Sequence, residues 1–469
     1  MTKRREFIRT TALGTAGITI GGLGLDARTY SGIKGANDRI NLALVGIRNQ
    51  GSEHINEWCA LRKSHNVELT TLCDADERLF GPKAKTVTEK TGRKPKTEWD
   101  ILKVLEDPEI DAVAIVTPNH WHALATIWAC QAGKHVYVEK PASHNIFEGR
   151  KMVEAARKYN VLVQVGHNNR SSRNVIEAIE FLHKGGIGEI YMARGLCYKS
   201  RDSYGWAKDS TPPPSFHYER WLGPAQWRPY NVKRSHYSWH WYWDTGNGDT
   251  GNQGPHQFDI ARWGLSKYEH PVSVYSTGGI YGFRKDESAP GTEIRGTMVY
   301  GDVETYGDSK TSQETPNIQT ASFMYNDGTI LEFETRGRYT NREGKSEIEI
   351  GNIFYGTEGY LEINADRWSA FRKHEKEPFA GSKPSAGGDG GNHFANFLEA
   401  LRAGKPEMLN CEIIEGVYSA ALVHLANISY KLGRSLRFIN GYEKFANDPE
   451  ADTLLSRDYR SPYIVPAEV

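Results

Sequence analysis

The chain has 469 residues, long enough for two domains, or three by length alone, with ample apolar material for their cores. Its 58 basic and 58 acidic side chains cancel, so no net charge favours a nucleic acid or an anionic membrane as partner. The cysteines (Cys59, Cys73, Cys130, Cys197, Cys411) are odd in number and lack CxxC or zinc-finger spacing. The three in the first half, Cys59, Cys73 and Cys130, read as buried free thiols, and the set shows no disulfide framework and no metal site.

Residues 1–35 read as an address. Lys3-Arg4-Arg5-Glu6-Phe7-Ile8-Arg9 precedes an apolar, glycine-rich run from Thr10 to Leu25, the pattern of a twin-arginine export signal. The run is shorter than the roughly 20 residues of a spanning helix. No clear Ala-x-Ala site follows, so cleavage and retention as a membrane anchor both stay open. This route carries folded proteins, which predicts a periplasmic protein that leaves the cytoplasm with its thiols buried and its cofactor loaded.

Residues 36–167 read as a doubly wound nucleotide-binding domain. A buried strand from Arg39 to Ile47 enters the turn Gly46-Ile47-Arg48-Asn49-Gln50-Gly51, and a helix follows. In such a turn glycines permit the bend and the approach of a pyrophosphate to the helix N-terminus. Arg48 stands at the middle glycine of the usual fingerprint. The next strand, Val67 to Cys73, ends at Asp74, where a carboxylate accepts from ribose hydroxyls and favours NAD over NADP; Arg78 nearby moderates that preference.

Strand and helix then alternate: Ala112–Thr117, Trp121–Gln131, His135–Glu139, Ile146–Tyr159 and Val161–Gly166. That order predicts right-handed crossovers and a parallel sheet with its ligand at the carboxyl ends of the strands. The residues with chemistry fall there: Thr117, Pro118, Asn119 and His120; Glu139-Lys140-Pro141; and His167-Asn168-Asn169-Arg170.

Residues 168–469 predict an α+β domain. Val175–Lys184 reads as a helix. Strand-like runs follow at Ile190–Gly195, Pro271–Thr277, Thr297–Tyr300, Asn352–Tyr355 and Tyr360–Ile363. Ala321–Tyr325 and Thr329–Thr335 flank Asn326-Asp327-Gly328, a hairpin signal. An open, mainly antiparallel sheet is expected, then a connector at Gly387–Gly391, a helix from His393 to Arg402, and a helix from Ile413 to Leu432 returning to the nucleotide domain. No internal repeat is visible.

The densest cluster runs from Trp239-His240-Trp241-Tyr242-Trp243-Asp244 through a glycine-rich approach to His256, whose helix also carries Asp259 one turn on. Clustered acids, amides and aromatics beside a histidine point to a site. Trp and Tyr also suit sugar stacking, although packing is their commoner duty.

Assembled, these residues resemble the Gfo/Idh/MocA family, the glucose–fructose oxidoreductase and inositol dehydrogenase group, from about Asp38 to Leu432. Glu139-Lys140-Pro141 is the most specific match. The resemblance implies NAD(P) held by Gly46, Arg48, Asn49, Gln50, Gly51, Asp74, Thr117, Pro118, Asn119, His122, Glu139, Lys140, His167 and Asn168. It also implies a sugar or polyol met by Arg170, Tyr198, Trp239, Trp241, Trp243, Asn252 and His256, and homodimers or homotetramers. Lys140 would stabilise alkoxide charge and His256 would act as base. The family's aspartate four residues before that histidine is replaced by Asn252, so Asp249 or Asp244 substitutes or the chemistry differs. Three functions remain open: a sugar dehydrogenase with tightly bound NAD, a glycoside hydrolase using transient oxidation, and a non-catalytic sugar sensor.

Overall fold

The structure, a computed structural model, describes residues 38–282, 284–285, 310–383 and 392–469. The export signal, the strand expected at 297–300 and the connector at 387–391 lie outside the described residues.

The first half forms a six-stranded parallel sheet: β1 (Ile40–Val45), β2 (Val67–Cys73), β3 (Lys96–Glu98), β4 (Ala112–Ile115), β5 (His135–Val138) and β6 (Val163–Val165), in the order β3-β2-β1-β4-β5-β6. The central strands are apolar on both faces: every residue of β4 is buried, as are Leu42, Ala43 and Leu44 of β1. Helices cover each face, as a parallel sheet requires. The order reverses between β1 and β4, and the crevice beyond their carboxyl ends is where such sheets take ligands.

The second half builds a ten-stranded mixed sheet. Its strands are β7 (Ile190–Cys197), β8 (Ser273–Gly279), β11 (Ile318–Met324), β12 (Ile330–Arg336), β13 (Ile350–Gly356), β14 (Tyr360–Ile363), β15 (Trp368–Phe371), β16 (Ala380–Gly381), β17 (Leu436–Ile439) and β18 (Lys444–Phe445). Two short strands, β9 (Arg284–Lys285) and β10 (Lys310–Thr311), pair apart from it. The order is β16-β15-β14-β13-β7-β12-β11-β8-β17-β18, and only the β12–β7 pair is parallel. β12 alternates cleanly, with Leu331, Phe333 and Thr335 buried. The expected hairpin is present: Gly328 takes φ +85°, and Tyr325 N donates to the Thr329 carbonyl at 2.9 Å.

The halves interleave. The helix His393–Ala403 packs Phe394, Phe397, Leu398 and Leu401 into the core beneath β1 and β2. Cys411, Ile413, Val417 and Ala420, with Tyr463 and Val465 of the tail, enter the core on the other face. The helix Ile413–Leu432 does return, as expected, and it is not alone. All five cysteines are free, four of them buried. No helix of the described residues is long and apolar enough to cross a membrane.

Candidate active site

A cavity of about 340 Å³ opens over the carboxyl ends of β1, β2, β4 and β5. Its floor is the turn after β1. Gly46 has φ +89°, and a Cβ there would lie 2.5 Å from the Val116 carbonyl oxygen; one on Gly51 would lie 2.2 Å from the Gly46 carbonyl oxygen. Both glycines are therefore dictated by packing. The helix Asn49–Ala60 begins beside the cavity with no side chain capping it, as helix ends that hold phosphates do. Arg48 is exposed there and lines the cavity with Asn49 and Gln50. This turn fits a dinucleotide's pyrophosphate.

Asp74 lines the same cavity at the end of β2. Its carboxylate accepts from Ile47 N at 2.9 Å and Asp76 N at 3.0 Å. Burial pushes its pKa up to about 6, against those two backbone bonds. Arg78, a neighbour that could have greeted a 2′-phosphate, instead grips Asp76 through two bonds of 2.7 Å.

At the opposite end stand Lys140 and Asn252. Lys140 Nζ donates to the main-chain carbonyl oxygen of Asn252 at 2.6 Å. Burial lowers the lysine's pKa, Glu139 opposes the shift, and Arg201 and Lys199 add to it. The asparagine thus holds the lysine without using its side chain. Glu139 is buried, bonded to His54 at 2.9 Å and accepting from Lys140 N at 3.2 Å. Burial alone would raise its pKa, but the His54 bond and nearby positive charges hold it at about 2. His122 lines the cavity too, its ring nitrogens 2.7 Å from the Pro141 carbonyl oxygen and 2.8 Å from that of Thr117, so that one N–H donates to one of them. Asn119 reaches across the halves, donating to Asn247 Oδ1 at 2.9 Å.

Several expected contacts are placed elsewhere. Arg170 is 7% exposed and bonded bidentately to Asp259 at 2.8 and 3.0 Å, and it also reaches Glu415 at 3.0 Å. Its Nε and Nη2 are committed to these carboxylates and Arg170 does not line the cavity, which places it away from the expected substrate contact. Tyr198 lies on the sheet under Arg336 and donates to Glu334 at 3.2 Å. Trp241 is fully buried against Tyr204, with ring centroids 3.6 Å apart, and Trp243 sits under Lys431, whose Nζ is 4.2 Å from its ring centre. None of these four lines the cavity, whereas Trp239 does.

Asp249 accepts from Arg201 at 2.9 Å, and Asp244 pairs with Arg228 at 2.6 Å. Neither residue lines the cavity. His256 is not among the residues that line the cavity; its ring lies 6.3 Å from that of His167. Burial, then the charges of Lys140 and His167, lower its pKa to about 3. His167 is 1% exposed and neither ring nitrogen has a hydrogen-bond partner, Nδ1 lying 3.9 Å from Asp259; Asn168 accepts from the Tyr137 hydroxyl at 3.0 Å. His167, Asp259 and Cys411 converge within 4.8 Å, but Arg170 and Ser419 already occupy the Asp259 oxygens.

The cavity's outer wall was not legible in the sequence. Phe216, Arg220, Trp221, His236 and Tyr237 come from residues 213–237 and line the cavity together with Trp99 and Asp76. A strap is anchored there: His217 N donates to the Ala75 carbonyl at 2.8 Å, Glu77 N to the Ser215 carbonyl at 3.0 Å, and the His217 ring stacks on Trp99 at 4.1 Å. The Trp-rich composition of the segment was its only visible signal.

Residues 40–167 match the family model described as oxidoreductase family, NAD-binding Rossmann fold, and residues 203–314 and 378–465 match that family's C-terminal alpha/beta domain. A levoglucosan dehydrogenase of Pseudarthrobacter phenanthrenivorans is 25% identical over 57% of this chain and 59% of its own length. A glycosyl hydrolase family 109 protein of Shewanella pealeana is 27% identical over 40% of this chain and 44% of its own. The chain thus spans little more than half of the one relative and less than half of the other. Among solved structures, the aldose-aldose oxidoreductase of Caulobacter crescentus superposes with a TM-score of 0.60 at 16% identity, covering 85% of this chain and all of that one. A levoglucosan dehydrogenase complexed with NADH and levoglucosan superposes at 0.59 with 20% identity, covering 86% of this chain and 99% of that one. With both halves matched by its models, the chain belongs to the Gfo/Idh/MocA family of oxidoreductases.

Proposed function

We propose that the protein is an NAD-dependent oxidoreductase acting on a hydroxyl of a sugar or polyol. The observation that carries this reading is Lys140 Nζ, pinned to the Asn252 carbonyl where the glycine-turn cavity meets the second half. NAD, when bound, supplies the hydride acceptor. Gly46, Gly51 and the uncapped helix would hold its pyrophosphate, and Asp74 would accept from a ribose hydroxyl. Asp74, together with Arg78 turned onto Asp76, favours NAD over NADP.

Lys140 meets the reacting hydroxyl. Burial brings its amine nearer neutrality, so it can receive the hydroxyl proton or, once protonated, hold alkoxide charge. His256 acts from behind it as a neutral imidazole. Trp239 lines the cavity and offers the sugar apolar surface. The strap at residues 213–218 supports a nucleotide that is retained between turnovers, which suits a protein working outside the cytoplasm. The Lys3 to Arg9 pattern supports that periplasmic destination, and family resemblance supports a homodimer or homotetramer.

The test is absorbance of the purified protein near 340 nm while sugars are added. A rise that persists, and that is lost in Lys140→Met with nucleotide still bound, supports the dehydrogenase. Normal turnover in that variant sinks the assignment. A second reading, a glycoside hydrolase with internal redox, is favoured by the relatives named glycosyl hydrolase family 109. Aglycone release with no net NADH would select it.

A further inference from the structure

The histidines that line the cavity differ in what their ring nitrogens have left to give. Those of His122 both face backbone carbonyl oxygens, which leaves no nitrogen open to the cavity, and His236 stands at the far end, 3.9 Å from Asp76. His240 is different. It sits on the short turn Ser238–Trp241, its ring stacked on Trp239 with centroids 3.6 Å apart and planes 19° apart. Its Nδ1 lies 2.7 Å from the Tyr237 carbonyl oxygen. A carbonyl can only accept, so Nδ1 carries the proton in that bond. The ring is neutral: burial, then the nearby charges of Lys140 and Arg201, lower its pKa to about 3. In a neutral imidazole with Nδ1 protonated, Nε2 is a bare acceptor.

The surrounding loop is built to keep this ring in place. Gly246 packs against the His240 backbone, and a Cβ there would lie 2.3 Å from its carbonyl oxygen. Thr245 Oγ1 donates to the Trp239 carbonyl at 2.9 Å, and Gly246 N donates to that of Tyr242 at 2.8 Å. The glycine-rich approach to His256 therefore also clamps the turn that carries His240.

We infer that His240 is a specificity-determining substrate contact, its Nε2 accepting a hydrogen bond from a sugar hydroxyl while Trp239, covered by His240 on one face, supplies apolar cavity wall next to it. This rests on the sugar reading above. It calls for a ligand that presents a hydroxyl donor and an apolar face together, as a pyranose does. The contact involves no proton transfer: the hydroxyl keeps its hydrogen, and Lys140 alone faces the reacting oxygen.

Two measurements test it on the full-length, NAD-loaded protein. Nitrogen-15 NMR of the histidine rings, with His240 assigned by its loss in His240→Gln, should show Nδ1 protonated and Nε2 bare; the opposite tautomer overturns the inference. Calorimetry with aldohexoses and levoglucosan identifies a binding sugar, whose monodeoxy analogues are then compared. His240→Phe, which keeps an aromatic plane but no acceptor, should weaken the parent sugar about three- to ten-fold. It should leave one deoxy analogue unaffected, and His240→Gln should restore part of the loss. An equal loss for every analogue overturns the contact while the sugar reading stands. If no sugar binds the wild-type protein, the sugar reading fails and this inference with it.

Discussion

The ammonium of Lys140 is held by the main-chain oxygen of Asn252, 2.6 Å away, rather than by any side chain. The position at which the family resemblance calls for an aspartate therefore still anchors the lysine here. Substituting the side chain should leave that anchor intact. Asn252→Leu is expected to fold with an unchanged melting temperature and to lose less than about ten-fold in kcat, whereas Lys140→Met should lose about 100- to 1000-fold, the loss typical when a transition-state donor is removed. Steady-state kinetics beside thermal unfolding separates the two. Equal losses in both variants would show that the asparagine amide takes part in the chemistry.

Gly46 has no room for a methyl group. Gly46→Ala pushes a Cβ to 2.5 Å from the Val116 carbonyl in a left-handed backbone conformation. The expected cost is about 1–3 kcal/mol of stability, with loss of NADH binding. Thermal unfolding and NADH fluorescence titration check this. A variant that binds NADH normally would mean the turn relaxes without cost.

Asp74 ionises near pH 6 in the fold because burial disfavours its charge. Its folded pKa lies above its unfolded value of 3.8, so the stability it contributes to the nucleotide-free protein is present below that value and is lost as pH rises through about 6. Nucleotide binding should run the other way, because the carboxylate is the better acceptor for a ribose hydroxyl. NADH affinity is therefore expected to rise between pH 5 and 7, and Asp74→Asn should flatten that rise. A titration with no slope in the wild-type protein would exclude the contact.

Glu139 shows the opposite linkage. Its pKa is held down at about 2, so its contribution to stability is present above the unfolded value of 4.5 and is lost as pH falls through about 2. Glu139→Gln should cost about 1–3 kcal/mol at neutral pH, since it weakens a buried bond to His54. The variant and wild-type stability curves should converge in strong acid. Denaturant melts across that range measure it, and a pH-independent gap would assign the loss to packing instead.

The strap should govern nucleotide release. His217→Ala removes the ring stacked on Trp99 and the contact to Glu77, while the paired backbone bonds remain. Stopped-flow displacement of NADH is expected to show release about ten-fold faster with little change in folding, as contacts worth 1–2 kcal/mol imply. An unaltered release rate would mean the strap rests on the protein alone.

The parallel sheet was legible because its strands are short apolar runs separated by periodic helices, and β5 ends on Glu139-Lys140-Pro141. Helix ends were close: the helix read from Trp121 begins at Asn119, and the one read from Val175 begins at Arg173. β3 and β15 to β18 were not singled out; β3 is polar and largely exposed, and β16 and β18 have two residues each, too few to carry a pattern. The site was half legible. Glycine turns announce themselves, but an arginine such as Arg170 looks the same in sequence whether it faces a substrate or a buried Asp259. The strap left no trace beyond composition, because Phe216 meets Asp76 across 140 residues of chain. Nothing in a tryptophan-rich run says which ring will be buried, so Trp239 could not be told from Trp241.

The helix that carries Phe394 and Phe397 belongs by position to the second half and by packing to the first sheet. Chain order and spatial order therefore disagree, with consequences for how the protein is made and how it could be altered. A polypeptide emerging in order has its first sheet complete in strands but bare beneath β1 and β2 until the last quarter of the chain arrives. A hybrid that kept this nucleotide-binding half and took its remainder from a relative would inherit a foreign lid for that core. Such exchanges should succeed only when the residues facing Trp58 and Tyr137 travel with it.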